Sequence, residues 1–411
     1  MERTILHCDM NNFYASVECM LNPALRSKAV AVCGSAEERH GIVLAKNYKA
    51  KEYGVATGDV IWQAKQKCPC LTVVPPHYEE YMKYSRLARN IYERYTDQVE
   101  PYGMDECFLD VTGSGIFGTG FEIADEIRKT VKFELGLTIS AGVSFNKIFA
   151  KLGSDMKKPD AITCITKSEF REQIWNLPVS DLLGVGKATD RVLAGYGIRT
   201  IGELAVCPDN ILKRNFGKNG LLLKAYANGE DNSEVRRSDF HSPVKSIGHG
   251  ITAIQDLENS AEVWRVMLEL VQEVGSKLRL HKKRAGGVAV NIRRNDLLSR
   301  EWQCKTKMPT QSPSVLAETA FDLFQRSYSW ELPIRSVTVR AIYLQEENCP
   351  VQFDLFTDTL LVEKQEKVDN VIENLRQRFG RNIIRNAVLL NDLKLPPKRD
   401  VELIMPTGMI G

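Results

Sequence analysis

Apolar and polar positions along the chain divide it into two kinds of pattern. Residues 4–11, with Ile5, Leu6, Cys8 and Met10, read as a buried strand leading into a short helix over 12–18. A turn marked by Pro101 and Gly103 precedes a second short apolar strand over 107–111. Between them, residues 41–55 read as a strand and then a short helix closed by Gly54, and 78–95 as a long helix with Tyr81, Tyr84, Leu87, Ala88, Ile91 and Tyr95 near helical spacing. A helix over 121–135 and a strand over 138–143 complete a small antiparallel sheet with helices on one face, and Ser144 reads as the N-cap of the next helix. Residues 182–187 form a Gly-x-Gly hairpin that feeds a helix over 188–195; Gly197 stops it, and Thr200 with Glu203 makes a capping box for the helix after. Residues 236–243 are polar and non-periodic, an extended tether. Beyond them come a strand over 245–254, a long helix over 261–284, strands over 287–294 and 300–305, a helix over 314–328 and a strand over 334–343. Two helices on a four-stranded sheet make a complete small domain. A charged helix over 362–379, ended by Gly380, has no role in this reading.

Composition narrows the class. The 411 residues are 43% hydrophobic and 26% charged, the balance of a soluble globular protein, and the length suggests two to four domains; together with the strands and helices above, a multidomain α+β protein is expected. No apolar run reaches membrane-spanning length and the N-terminus is no signal peptide, so no membrane association is expected. The ten cysteines are scattered, many in apolar strands; Cys68-Pro-Cys70 is the one close pair and has no histidine or second pair near it, which argues against zinc and for a reduced, cytoplasmic protein. The net charge of +3 is uninformative, but residues 275–300 hold eight Lys/Arg against one Asp, which suits a polyanion.

The candidate chemistry is acidic. Asp105 and Glu106 sit where the turn becomes a strand, the place where adjacent side chains escape strict alternation and can serve one site. Asp9, at the end of the first strand, offers a third carboxylate. Three hard oxygen ligands suit Mg²⁺, which keeps its other positions for water and phosphates, and such a set supports two-metal phosphoryl transfer. An isolated Asp-Glu pair is more often a solvated turn, and the residues alone do not bring the three together.

Residues 7–18, His-Cys-Asp-Met-Asn-Asn-Phe-Tyr-Ala-Ser-Val-Glu, and 102–110, Tyr-Gly-Met-Asp-Glu-Cys-Phe-Leu-Asp, resemble the Y-family translesion DNA polymerases of the polymerase IV and V type. The resemblance extends over residues 1–356 and implies a right-hand polymerase: an antiparallel-sheet palm (1–19 and 77–166), small fingers (20–76), a helical helix-hairpin-helix thumb (167–233), a linker (234–244), a four-stranded α+β little finger (245–345) and a tail (346–411). It makes Asp9, Asp105, Glu106 and the Met10 carbonyl the ligands of two Mg²⁺ ions, and Tyr14 the steric gate that excludes a ribose 2′-hydroxyl. Tyr48, Lys51 and Lys158 would grip the incoming triphosphate, while Lys147, Lys151 and Lys157 would lie on a solvated face. Asn11, Met104, Ala45 and Lys51 depart from the residues common in the family.

Partners follow. Gly184, Gly186 and Lys187 offer backbone amides and a helix N-terminus to a DNA phosphate. Ser246, in a matching Lys-Ser-Ile-Gly run, and the basic group of Lys282, Lys283, Arg284, Arg293 and Arg294 suggest a second DNA contact. Gln352, Leu355 and Phe356 form the Gln-x-x-Leu-Phe pattern that docks on the bacterial sliding clamp. The expected function is template-dependent, low-fidelity extension of a primer by a monomer, with deoxynucleotides as substrates and no proofreading. Rivals are a palm-type nucleotide cyclase, opposed by the basic little finger and the hairpin thumb, and a non-catalytic clamp-docking scaffold, opposed by the intact carboxylates.

Overall fold

The computed structural model describes residues 2–39, 41–240, 242–350, 359–380, 382–390 and 394–396, and the chain divides into two units, one taking in Met1–Gly34 and Ile42–Ser242, the other Ser35–Gly41 and Pro243–Glu402. The first unit contains strands β1 (Ile5–Met10), β2 (Val30–Cys33), β3 (Val43–Lys46), β4 (Thr72–Val74), β5 (Val99–Pro101), β6 (Glu106–Asp110), β7 (Ile139–Ser144) and β8 (Ile162–Ile165). Its main sheet has the order β5-β6-β1-β7-β8. Antiparallel pairing, as the sequence suggests, runs through β5, β6, β1 and β7; β8 joins β7 in parallel, because the helix Lys147–Met156 carries the chain back across the sheet before β8 begins.

Strand β1 is central, and all six of its residues are buried. Leu6, Cys8 and Met10 face a core shared with the helices Phe13–Leu21, Tyr78–Tyr92 and Gly120–Leu135. Period-two alternation turns Ile5, His7 and Asp9 to the opposite face, where the helix Lys147–Met156 lies. The expectation of helices on one face therefore fails: this helix covers the acidic face as well. It comes close because β7 has glycine at 142, where a Cβ would stand 1.9 Å from the Ala150 carbonyl oxygen. The helix starts two residues later than Ser144, which ends β7 and donates its hydroxyl to the Ile165 carbonyl; the N-cap is Asn146, whose side chain accepts from the Phe149 amide.

A smaller sheet, β3-β2-β4, carries the short helix Tyr48–Glu52. Four further helices, Lys187–Gly195, Ile201–Val206, Asp209–Phe216 and Lys218–Ala227, gather around Val179, Leu182, Leu193 and Leu212. The segment expected to be a free tether is partly laid down: Val235 is buried beside Ile5, Phe108 and Ala150, and the Arg236 amide donates to Glu100.

The second unit packs the helices Ser260–Leu280 and Pro313–Ser327 on one face of a four-stranded sheet, order β11-β10-β12-β9, made of β9 (Ile247–Leu257), β10 (Lys283–Arg294), β11 (Ser299–Thr310) and β12 (Ile334–Glu346). The long helix ends at Leu280, so Lys283 and Arg284 belong to β10 and not to the helix end. The tail helix Thr359–Phe379 follows, and Arg284 pairs with its Glu366. Among the described residues no helix is long and apolar enough to cross a membrane.

Candidate active site

Register brings the first two carboxylates together. Asp9 on β1 stands directly opposite Glu106 on β6, so both side chains project from the same face. Asp105 occupies the bend just before β6, and its carbonyl accepts the Met10 amide at 3.0 Å, which pins the bend to the end of β1. Burial, then the charges of Asp9 and Glu106, push the Asp105 carboxyl up to about 7. Burial also raises Asp9, against the pull of Lys158. Glu106 goes the other way: burial works upward, but His7 and Lys151 outweigh it and hold the carboxyl down at about 2.

Lysines occupy this acidic face. Lys158 Nζ lies 2.5 Å from Asp9 Oδ2 and 2.8 Å from Asp155, and Lys151 Nζ lies 2.7 Å from Glu106 Oε2. Lys147 pairs with Glu100 at 2.6 Å. Lys147 and Lys151 are therefore not on a solvated face, as their spacing suggested; the approach of their helix at Gly142 turns them inward, and of the three residues expected there Lys157 alone is exposed. Beneath the cluster, buried His7 shares a 2.8 Å hydrogen bond between Nδ1 and Ser154, while its Nε2 approaches Glu106 at 3.2 Å out of line for a hydrogen bond. Among the described residues no three His, Cys, Asp or Glu groups stand gathered as a finished cation site. The donor set nonetheless fits a hard divalent ion: it is all oxygen, and the raised Asp105 marks a place short of positive charge.

The remaining predicted residues fall around this centre. Tyr14 is half-buried, stacked on Tyr81 with ring centroids 4.2 Å apart, and its hydroxyl donates to Met104 Sδ at 3.4 Å. Tyr81 and its partner Glu18 were invisible as a unit in sequence, although Tyr14 and Glu18 are four apart on one helix. Tyr48 stands near enough to Asp9 and Lys158 for both charges to act on its hydroxyl, whose pKa burial raises. Lys51 is exposed, its Nζ 5.8 Å from the Tyr48 ring centre. The Met10 side chain is in the core, so its backbone alone can serve the site. Asn11 is buried and structural, donating to Ser140 and accepting the Asp160 amide, so it does not offer a ligand oxygen.

Two surfaces carry the residues expected at DNA. In the first unit Leu182 and Val185 anchor a turn that leaves Gly184, Gly186 and Lys187 exposed; Gly184 has φ +93°, and Gly186 caps the helix that Lys187 begins. In the second unit Ser246 is exposed beside β9. Val288, Val290 and Ile292 face the core, so Arg293 takes the open face of the sheet, with Lys305 on the neighbouring strand and Arg340, paired with Glu301 at 2.5 Å, on the other. Arg294 does not join them: it is neutralised by Asp296 at 2.5 Å and Glu331 at 3.0 Å. Gln352, Leu355 and Phe356 lie outside the described residues.

Residues 8–155 match the impB/mucB/samB family and residues 244–355 its C-terminal domain. The chain is 48% identical to DNA polymerase IV of Acetivibrio thermocellus over 95% of its own length and 98% of the relative's. It is 37% identical to DNA polymerase IV 1 of Bacillus subtilis, with 94% and 93% covered. A solved Y-family DNA polymerase chimera shares the fold with a TM-score of 0.74, at 24% identity, over 84% of this chain and 99% of that one.

Proposed function

The chain belongs to the impB/mucB/samB family and is a translesion DNA polymerase of the Y family, and on that premise we propose that its acidic face extends a primer by two-Mg²⁺ phosphoryl transfer. Enzymes of this family depend on a metal and act on primer-template DNA and deoxynucleoside triphosphates. The observation that carries the finer reading is the cross-strand pair Asp9 and Glu106 with Asp105 on the adjoining bend. Those three carboxylates and the Met10 backbone would hold the ions. When bound, Mg²⁺ supplies a lowered pKa for the attacking hydroxyl and charge neutralisation for the triphosphate.

The protein's own groups bind and orient. Lys158, with Tyr48 and Lys51, takes the triphosphate; the Lys158 ammonium leaves Asp9 for phosphate oxygens as substrate arrives, one charge-assisted contact replacing another. Tyr14 closes the sugar pocket against a 2′-hydroxyl. The primer 3′-hydroxyl gives up its proton to water as its oxygen bonds to the α-phosphorus, the bond from that phosphorus to the bridging oxygen breaks, and pyrophosphate leaves with that electron pair. Alignment of these groups provides most of the acceleration. Lys158 on Asp9 and Lys151 on Glu106 also offset part of the repulsion among the carboxylates before metal arrives, while Asp105 has no such partner among the described residues and bears the remainder. The glycine turn at 184–187 and the open sheet face with Arg293 would hold the DNA backbone, and Gln352, Leu355 and Phe356 would dock a monomer on the sliding clamp. Synthesis proceeds without proofreading, so the pure protein should not degrade a mismatched primer from its 3′-end. Removing divalent metal with a chelator should abolish primer extension, and Mg²⁺ should restore it; extension in the chelator would refute the metal reading.

A further inference from the structure

Two helices on the core side of the main sheet meet through a small polar-aromatic unit whose centre, Glu18 and Tyr81, is buried and whose outer member, His77, is exposed. The helix Phe13–Leu21 contributes Tyr14 and Glu18, one turn apart on the same side. The helix Tyr78–Tyr92 contributes Tyr78 and Tyr81, again one turn apart, and His77 at its N-cap. The Tyr81 ring lies flat against Tyr14, 9° from parallel, while Tyr78 meets Tyr14 edge-on at 6.0 Å. Tyr81 is fully buried, and its hydroxyl donates to Glu18 Oε1. Glu18 is itself a buried carboxylate at 4% exposure, and His77 Nδ1 reaches both its oxygens, at 2.9 and 3.1 Å.

A buried carboxylate is expensive unless its oxygens are satisfied. Here the satisfaction comes from the ring that backs Tyr14 and from the residue that starts the same helix. Burial first, and then the Glu18 bond, raise the Tyr81 hydroxyl well above the ordinary phenol range, so it remains a donor. One end of the Tyr81 ring is thereby tied to Glu18 while its face supports Tyr14. Without the tie the ring can slide in its plane, and Tyr14 loses a fixed floor. Discrimination of a single hydroxyl depends on a wall that does not yield.

We infer that Glu18, acting through Tyr81 and seconded by His77, is the positioning group that holds the Tyr14 ring rigid and so sets the rejection of ribonucleoside triphosphates. The inference rests on the assignment of Tyr14 as the sugar gate. Glu18, Tyr81 and His77 touch neither substrate nor metal in this account; they act on the shape of the pocket.

The test is single-nucleotide incorporation by the full chain on primed DNA, comparing kcat/KM for a matched deoxynucleotide and the corresponding ribonucleotide. Tyr81→Phe and Glu18→Ala should each shift the ratio about tenfold toward the ribonucleotide, the worth of one hydrogen bond to a charged group. Glu18→Gln, whose amide oxygen still accepts from Tyr81, should return most of the discrimination, a rescue that general loss of stability cannot mimic. Should Glu18→Ala fail to fold, Tyr81→Phe, which removes a single oxygen, decides alone. Ratios within about twofold of wild type in Tyr81→Phe, with Tyr14→Ala freely admitting ribonucleotides, would overturn the inference and leave the gate standing. Unchanged discrimination in Tyr14→Ala would instead bring down the gate assignment itself, and this inference with it.

Discussion

At the scale of single residues, Asp105 carries the clearest consequence. An unfolded aspartate titrates at about 3.9, whereas the folded one keeps its proton up to about 7 because it is buried beside Asp9 and Glu106. Between those values the folded state binds the extra proton, so this group's contribution to stability falls as pH rises through the window from about 4 to 7. Glu106 has the opposite sign: its folded carboxyl is held down at about 2, so its contribution is present above the unfolded value of about 4.3 and lost as pH falls toward 2. Metal-free protein should therefore gain stability in Asp105→Asn at pH 8, by a few degrees in Tm, and gain little at pH 4. Calorimetry in a chelator at the two pH values reads this directly; an equal effect at both would show that Asp105 is not the strained carboxyl. The same substitution removes a proposed ligand, so activity and stability should move in opposite directions. The three acidic residues stood out at a strand end and a turn, but it was the family resemblance, and not their spacing, that grouped them, because the cross-strand register that sets Asp9 opposite Glu106 is a long-range feature. Lys151 did not stand out: a lysine on an amphipathic helix looks solvated until the helix is known to lie on the acidic face.

That placement belongs to the scale of elements. The helix Lys147–Met156 reaches the sheet only because residue 142 lacks a side chain, and a Cβ there would overlap the Ala150 carbonyl. Gly142→Ala should force helix and strand apart, costing on the order of 3 kcal/mol, and should draw Lys151 away from Glu106 and Ser154 away from His7. Thermal melting and extension rate should both fall; a melting temperature within a degree of wild type would show that the contact is slack. Local signals fixed most elements to within a few residues, since capping boxes, turn glycines and apolar periods act over short distances. The Thr200 and Glu203 box is present as read. What escaped the sequence depended on long-range geometry: the parallel fifth strand, the helix on the acidic face, and the split between Arg293 and Arg294. The two arginines are neighbours in sequence, yet one faces open sheet while the other is spent on Asp296 and Glu331.

At the scale of the whole molecule, family membership and an acidic face with ordered carboxylates converge on templated DNA synthesis. The clamp-docking proposal adds a property of the full chain. Leu355→Ala with Phe356→Ala should leave basal primer extension in place and abolish its stimulation by the bacterial clamp, measured as product length on a long template; undiminished stimulation would remove the motif from the account. The central claim is that Asp9, Asp105 and Glu106 form the polymerase centre. Its most direct test is primer extension with Mg²⁺ and all four deoxynucleotides, wild type beside Glu106→Ala, with DNA binding measured in parallel. Short, distributive extension by wild type that vanishes in the variant, with DNA binding retained, is the predicted result. Extension that survives Glu106→Ala would contradict the account and place the active centre elsewhere.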